Sequence, residues 1–312
     1  MEENEFVFKE EFVEINGLSH FFLHYDHKKS ITLIHLHGGP GSSAILFSHL
    51  LNERNDFCNL VYYDQRGTGR TLYKSKTKPS ELTLEQMLSD LSEVIKYVKK
   101  EYSDTKIVLL GHSWGTVLGS EYILRYPGDV DAYIGYGQVV NVMEGESIAY
   151  QKIIDIAEHL QDDSLINKLN KIGDYPYNVD QKKIFKKYLE VDKLKKRVGF
   201  VATTQMFQLA SQSPIFKIHD LMSMMNGPKM NRKLFMWLST YDLSNEKDYK
   251  VPMFYILGQL DYQVPSIVAK RYFDTIRSPK KALYWIDEAA HNPDVEQPDK
   301  FAETLRVIIR SL

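Results

Sequence analysis

Short, unbroken runs of apolar residues recur along this chain and restrict the folds open to it. Runs of this kind are typical of strands that are covered on both faces, as in a parallel sheet. Strands of a half-exposed sheet would instead alternate polar and apolar residues. The runs after residue 30 are Ile31–Leu36, Leu60–Tyr63, Ile107–Leu110, Ala132–Tyr136, Val251–Leu257 and Ala282–Ile286.

Helical patterns separate these runs, and one of them opens with the capping-box sequence Thr83-x-x-Gln86. Regular alternation of strand and helix predicts an α/β fold with a doubly wound, mostly parallel sheet. The opening segment alternates at residues 6–8, 11–15 and 20–25, which predicts an antiparallel edge. The helical patterns lie at residues 42–51, 83–102, 114–126, 265–276 and 298–309.

The interval 140–245 breaks the alternation, because it contains helical patterns and no strand pattern. An all-helical insertion after the sixth strand predicts a cap over the carboxyl ends of the sheet, where open α/β folds bind ligands. The predicted division is therefore a core at 1–139, a helical cap at 140–245 and a second core part at 246–312. The clearest cap helices are predicted at residues 146–169, 180–197 and 202–221.

Composition limits the partners of this chain. A formal net charge of −2 gives no general reason to expect nucleic acid or an anionic membrane, so a small molecule or short peptide is the expected partner. The lysine-rich stretch 181–197 has apolar residues at helical spacing, so its lysines are expected on a solvated face. The sequence makes no prediction about the oligomeric state.

Two further features bear on the compartment. The sequence shows neither a secretory signal nor a run of about 20 apolar residues that would span a membrane. Cys58 is the one cysteine, and its apolar neighbours place it in the core. Together these features predict a reducing, cytoplasmic location.

The segment Gly111–Gly115, Gly-His-Ser-Trp-Gly, lies where a predicted strand meets a predicted helix. A serine held in such a sharp turn needs glycines beside it, because side chains have no room there. The turn presents the serine above the sheet. Ser113 is therefore the predicted nucleophile.

A serine hydroxyl needs a base, and the base needs a carboxylate that orients it. Asp261 follows the penultimate predicted strand, and His291 lies in the loop after the last one. We therefore predict a triad of Ser113, Asp261 and His291. Asp287, four residues before His291, is the alternative carboxylate.

The glycine-rich segment His37–Gly41 follows a predicted strand and is suited to stabilising an oxyanion with backbone N–H groups. The predicted donors are the N–H groups of Gly39 and Trp114. Asp64 and Arg66 are expected to support this loop by ion pairing. No metal-ligand or phosphate-loop motif occurs, so we expect neither a metal nor an organic cofactor.

Taken together, the motifs resemble those of the proline iminopeptidase family of α/β-hydrolases. The matching segments are His37–Gly41, Asp64–Arg70, Gly111–Gly115, Gly258–Asp261 and His291. The resemblance implies the α/β-hydrolase fold and the same triad under a helical cap. It also implies release of N-terminal proline, or another small residue, from short peptides.

An aminopeptidase has to bind a free ammonium, which calls for carboxylates at the substrate pocket. Glu144, Glu146 and Asp220 are the candidates in the predicted cap. Two alternatives share the core: an esterase or amidase for a small uncharged acyl compound, and a non-catalytic protein that binds a small ligand. A pair of cap carboxylates facing Ser113 would separate the aminopeptidase from the esterase.

Overall fold

A computed structural model of the chain describes residues 8–43, 45–75, 82–177, 181–201 and 203–312. Its centre is one eight-stranded sheet with the strand order β1-β2-β4-β3-β5-β6-β7-β8. The first two strands form an antiparallel hairpin, β2 joins β4 antiparallel, and all the other pairs are parallel. The strands are β1 Phe8–Ile15, β2 Leu18–Tyr25, β3 Ile31–Leu36, β4 Asn59–Tyr63, β5 Lys106–His112, β6 Ala132–Tyr136, β7 Met253–Gly258 and β8 Lys281–Ile286.

The predicted sheet is confirmed, since all six apolar runs form parallel strands. Every residue of β3, β4, β6 and β7 is buried, because helices cover both faces of the sheet. The predicted antiparallel edge is present as β1 and β2. Of the residues assigned to it, Phe6 and Val7 lie outside the described part of the chain.

Helices flank the sheet and fill the interval between β6 and β7. In the core they are α1 Ser48–Asn52, α2 Gly69–Lys74, α3 Leu84–Glu101, α4 Trp114–Arg125, α11 Ser266–Thr275, α12 Pro293–Glu296 and α13 Pro298–Arg310. Between β6 and β7 they are α5 Val142–His159, α6 Asp163–Ile172, α7 Gln181–Arg197, α8 Thr203–Ser211, α9 Ile218–Met230 and α10 Arg232–Leu238. The predicted helical cap is thus confirmed. The exact domain boundaries stay a prediction.

Thr83 caps α3 as predicted, since its side-chain oxygen accepts the N–H of Gln86 at 3.2 Å. The second half of the predicted capping box is wrong. The Gln86 side chain donates instead to Asp90 Oδ1 at 3.0 Å, because that carboxylate lies one turn further along the same helix.

The cap helices are shorter than their patterns predicted. The stretch 146–169 belongs to two helices, α5 and α6, because Gln161 takes a positive φ of 53° and Asp162 caps a new helix through Leu165 N–H. The stretch 202–221 likewise belongs to α8 and α9, with Pro214 in the intervening segment. The predicted first residues Asp180 and Ala202 lie outside the described part.

Helix α7 departs from its predicted polarity at two positions. Lys195 is buried rather than solvated, because its ammonium pairs with Glu146. Leu189 is one of the apolar residues that follow the helical spacing of this stretch, yet it is exposed.

The predicted core position of Cys58 is confirmed, since this residue is fully buried. None of the helices in the described part is long and apolar enough to cross a membrane.

Candidate active site

Ser113 lies in the turn between β5 and α4, in a backbone conformation that side chains rarely adopt. Its φ is 52° and its ψ is −118°, and its N–H donates to the carbonyl of Tyr136 at 3.1 Å. A Cβ on Gly115 would lie 1.9 Å from the Leu36 carbonyl oxygen. The turn therefore requires glycine beside the serine, and it points the serine into the cavity described below.

His291 and Asp261 are hydrogen-bonded, with Nδ1 and Oδ2 at 2.9 Å. The other carboxylate oxygen accepts the N–H groups of Gln263 at 2.9 Å and Val264 at 2.8 Å, which fixes Asp261 in place. Asp287, the alternative acid, is exposed. The structure therefore brings Asp261, and not Asp287, to His291.

The second ring nitrogen of His291, Nε2, is buried and has no hydrogen-bond partner among the described residues. The His291 ring lies 5.0 Å from the ring of His112, the residue before Ser113, and the His291 carbonyl is 3.1 Å from His112 Nε2. Burial lowers the pKa of His112 well below its usual value, so His112 is neutral and donates this bond. With Nδ1 bound to the carboxylate, Nε2 is the atom free to accept a proton.

The two predicted oxyanion donors, Gly39 and Trp114, line the same cavity as Ser113. Gly39 has a φ of +123°, which favours glycine. Trp114 is the first residue of α4, where N–H groups have no acceptor inside the helix. Both backbone groups are thus suited to meeting a negative oxygen beside Ser113.

The glycine loop is held by its neighbours, though not through the ion pairs predicted for Asp64 and Arg66. Ser43 donates to Asp64 Oδ1 at 2.6 Å, so Asp64 supports the loop by a hydrogen bond. Arg66 forms its ion pair with Asp90 on α3, at 2.6 Å. Gln65 also joins the loop to the nucleophile elbow, the turn formed by Gly111–Gly115, because its side chain donates to His37 O and accepts from Trp114 Nε1.

A cavity of about 720 Å³, counted with the solvent at its mouth, opens over Ser113. Its walls come from the loop after β6, from cap helices α5, α7 and α10, and from the segment after Asp261. Glu146 is the one charged residue among the described residues that line it. The remaining lining is largely apolar and includes Val139, Val142, Phe235, Leu238, Val264 and Val268.

Comparison with known proteins agrees with this geometry. The model of the alpha/beta hydrolase family matches residues 33–304, which is most of the chain. The chain belongs to the alpha/beta hydrolase family. The predicted fold is therefore confirmed, and similar proteins confirm the resemblance to proline iminopeptidases.

The relatives of this hydrolase include peptidases. A probable aminopeptidase of Bacillus subtilis (strain 168), YbaC, is 30% identical over 286 residues, covering 89% of this chain and 88% of the relative. A proline iminopeptidase of Heyndrickxia coagulans is 24% identical over 311 residues, covering 98% of this chain and 100% of the relative. The solved structure of a proline iminopeptidase-related protein from Thermus thermophilus gives a TM-score of 0.72 at 18% identity, covering 98% of both chains. At that identity the last match shows the fold alone.

Of the three predicted ammonium-binding residues of the hydrolase, only Glu146 lines the cavity. Glu144 is near the start of α5 but pairs with Arg271 at 3.2 Å. Asp220 is buried and accepts from two nitrogens of Arg70, at 3.0 and 3.1 Å. The pair of carboxylates facing Ser113 is therefore not found among the described residues.

Glu146 has partners that the sequence did not indicate. Its Oε1 accepts from Lys195 Nζ at 2.6 Å, and its Oε2 accepts from Tyr175 at 2.8 Å. Lys195 also donates to the carbonyl of Gln263 at 3.2 Å, two residues after Asp261. A lysine within a solvated helical pattern gave no signal for this role.

In the described part of the chain, no cluster of three or more His, Cys, Asp or Glu residues is arranged to hold a metal ion.

Proposed function

We propose that this hydrolase cleaves its substrate through an acyl-enzyme formed on Ser113. The observation that carries the proposal is the Asp261–His291 hydrogen bond, which leaves His291 Nε2 free beside the elbow. Nε2 takes the hydroxyl proton as Ser113 Oγ bonds to the carbonyl carbon. The N–H groups of Gly39 and Trp114 stabilise the resulting oxyanion.

The intermediate then collapses, and His291 gives its proton to the leaving amine or alcohol as that bond breaks. Water then attacks the carbonyl of the acyl-enzyme while His291 Nε2 takes its proton. The bond to Ser113 Oγ breaks, Oγ regains the proton from His291, and the acyl group leaves as a carboxylic acid. Asp261 remains ionised throughout and stabilises the imidazolium form of His291.

The substrate we propose is a short peptide, or a small amide, with a free N-terminal proline or another small residue. Two supports carry this choice: relatives named aminopeptidase and proline iminopeptidase, and the Glu146 carboxylate at the cavity wall. A charge-assisted bond from the substrate ammonium to Glu146 would orient the scissile carbonyl toward Ser113. The apolar walls suit a small side chain.

A second candidate, an esterase or amidase for an uncharged acyl group, is favoured by one observation. Lys195 already neutralises Glu146, so the pair adds no net charge to the cavity. An ammonium entering such a site would add an uncompensated positive charge, whereas a neutral acyl group would not.

The experiment compares proline and alanine arylamides with a short-chain nitrophenyl ester. Ser113→Ala should abolish all turnover while leaving the melting curve unchanged. Glu146→Gln should lower kcat/KM for the arylamides by roughly 10- to 100-fold and spare the ester, because a bond to a charged group is worth about 1.5–3 kcal/mol. Glu144→Gln is the matched control, since this glutamate lies on the same helix but does not line the cavity.

Each outcome decides between the candidates. Serine-dependent arylamide turnover that falls in Glu146→Gln supports the aminopeptidase. Ester turnover alone, equal in both glutamate variants, supports the esterase. Full activity of a folded Ser113→Ala variant would refute the nucleophile.

We further propose that the protein acts in a reducing cytoplasm as an enzyme of small substrates. Its one cysteine, Cys58, is buried, and burial raises the pKa of the thiol far above its usual value. One cysteine cannot form a disulfide within the chain, so the fold does not depend on an oxidising compartment.

A further inference from the structure

The segment after β8 carries His291 and is called the catalytic loop below. Next to it, three polar side chains form a hydrogen-bonded chain that the reaction outlined above does not use. His35 Nε2 lies 2.8 Å from the hydroxyl of Tyr136, and that hydroxyl donates to Asp294 Oδ2 at 2.9 Å. His35 and Tyr136 are buried. Asp294 is partly exposed as a residue, but its Oδ1 atom is buried.

Tyr136, at the centre of this chain, also contacts the elbow. Its carbonyl accepts the N–H of Ser113 at 3.1 Å. Its ring stacks on His112, with centroids 4.5 Å apart and planes within 20° of parallel. His112 in turn donates to the carbonyl of His291. One tyrosine is therefore joined to the segments that hold the nucleophile and the base.

Asp294 follows His291 by three residues, in the first turn of α12. Burial raises the pKa of Asp294 to about 6; the hydrogen bond from Tyr136 opposes this rise, and the charge of His291 opposes it to a smaller extent. Above that pH Asp294 carries a negative charge. An ionised Asp294 and a positively charged imidazole at His291 therefore attract each other.

Of the other titratable groups around Asp294, three are uncharged at working pH, and the fourth, Glu296, is a carboxyl group that holds the backbone beside His291. Burial lowers the pKa of His35 on β3 to about 3, so His35 is neutral at working pH. Tyr62 on β4 and Tyr136 on β6 are buried, and their pKa values are raised far above the usual tyrosine value. Glu296, on the same helix as Asp294, accepts the N–H groups of Ala290 and Asn292 on either side of His291.

The chain is also incompletely satisfied. Asp294 Oδ1 and His35 Nδ1 are buried and have no hydrogen-bond partner among the described residues. A buried polar atom without a partner destabilises a fold, so packing alone does not explain this chain.

We propose that Asp294, held by Tyr136, is a positioning residue for His291 and supplies a second negative charge that stabilises the imidazolium formed during acyl transfer. The inference rests on the proposed function for the roles of Ser113 and His291, but not on the identity of the substrate. Asp261 orients the ring through Nδ1. Asp294 acts from the other end of the catalytic loop, through the field of its carboxylate.

The test measures the rate at which a fluorophosphonate probe labels Ser113 between pH 5 and 9, together with the NMR titration of the His291 ring. Both readouts are independent of the natural substrate. The variants are Asp294→Asn, which removes the charge, and Tyr136→Phe, which keeps the ring but removes the bond to Asp294. Asp287→Asn is the matched control, because it removes an exposed carboxylate four residues before His291.

The labelling rate should rise with pH to a plateau, and the NMR signal of the His291 ring should change over the same range. In Asp294→Asn we expect the midpoints of both curves to move to lower pH by about half a unit to one unit. The plateau labelling rate should fall roughly three- to tenfold, since one unit corresponds to a factor of ten. Tyr136→Phe should shift both in the same direction, because an unpaired buried carboxylate takes up a proton. Asp287→Asn should leave both midpoints unchanged, since solvent screens its charge.

An unchanged midpoint in both Asp294→Asn and Tyr136→Phe would overturn the inference, even if the rates fell. If Asp294→Asn does not fold, the Tyr136→Phe midpoint decides alone. Failure of the probe to label Ser113 in the native enzyme would count against the proposed function instead. The His291 titration would then still decide whether Asp294 acts on that ring.

Discussion

Gly227 of the cap and Gly41 of the oxyanion loop are in direct backbone contact. A Cβ placed on Gly227 would lie 1.9 Å from the Gly41 carbonyl oxygen, and one placed on Gly41 would lie 2.5 Å from the Gly227 carbonyl carbon. The side chain of Asn231, at the end of α9, donates to the carbonyl of Gly67 at 3.0 Å. Helix α9 is therefore packed against the loop that carries Gly39.

We expect Gly227→Ala to lower kcat by roughly tenfold or more while changing KM little. The added methyl group has no space, so the oxyanion loop has to move, and loss of one oxyanion donor costs about 100- to 1,000-fold. Steady-state kinetics on any hydrolysed substrate measures this. Gly128→Ala is the control, because nothing lies within 4 Å of a Cβ at Gly128 and its φ is not positive. Equal kcat values in the two variants would contradict the expectation.

The core of the site was predictable because its signals are local. Ser113 lies between two glycines at a strand-to-helix junction, and Asp261 and His291 each follow a strand. The parallel sheet then brings three strand ends to one edge. The choice between Asp261 and Asp287 as the acid required the structure, because both residues follow strands and only the hydrogen bond to His291 distinguishes them.

That distinction gives a second prediction. Asp261→Asn should reduce kcat by about 10⁴-fold, because an amide favours the wrong tautomer of His291. Asp287→Asn should retain full activity. Rates of Ser113 acylation measured in parallel test the pair, and a large loss in Asp287→Asn with a folded protein would reopen the assignment of the acid.

The cap was predictable only as a group of helices. Glu146 and Lys195 are 49 residues apart, and Arg70 and Asp220 are 150 residues apart. Helical periodicity marks which face of a helix is apolar, but it does not say which polar residue meets a partner on another helix. Lys195 is therefore indistinguishable in sequence from the exposed lysines around it.

Lys195→Met should change which substrates the enzyme prefers. It removes the cation that pairs with Glu146, so a substrate ammonium no longer competes with Lys195 for this carboxylate, and the ratio of arylamide to ester turnover should rise by about tenfold. Breaking a buried pair is also expected to destabilise the fold by about 3–5 kcal/mol. The double variant Glu146→Gln with Lys195→Met is the control, and its ratio should fall below that of Lys195→Met. Identical ratios in the native protein, Lys195→Met and the double variant would mean that this pair does not discriminate between charged and uncharged substrates.

Asp294 is expected to lower the free energy of unfolding when its carboxyl group ionises. Its pKa is raised to about 6 from the ordinary 3.8, so the protonated form is the one that the fold favours. The contribution of this group to stability is therefore fully present below about pH 4, and it is lost as the pH rises through 6. A shift of about two units corresponds to at most about 3 kcal/mol.

Asp294→Asn should remove this pH dependence, so the variant should melt a few degrees above the native protein at pH 8 and close to it at pH 4.5. Thermal unfolding of both proteins at the two pH values measures the difference. A variant that is more stable at pH 8, yet slower to be acylated at Ser113, would indicate that the carboxylate is kept for the reaction at the expense of the fold. A variant that is less stable at both pH values would instead make Asp294 a structural residue, because its hydrogen bond to Tyr136 would then outweigh the burial of its charge.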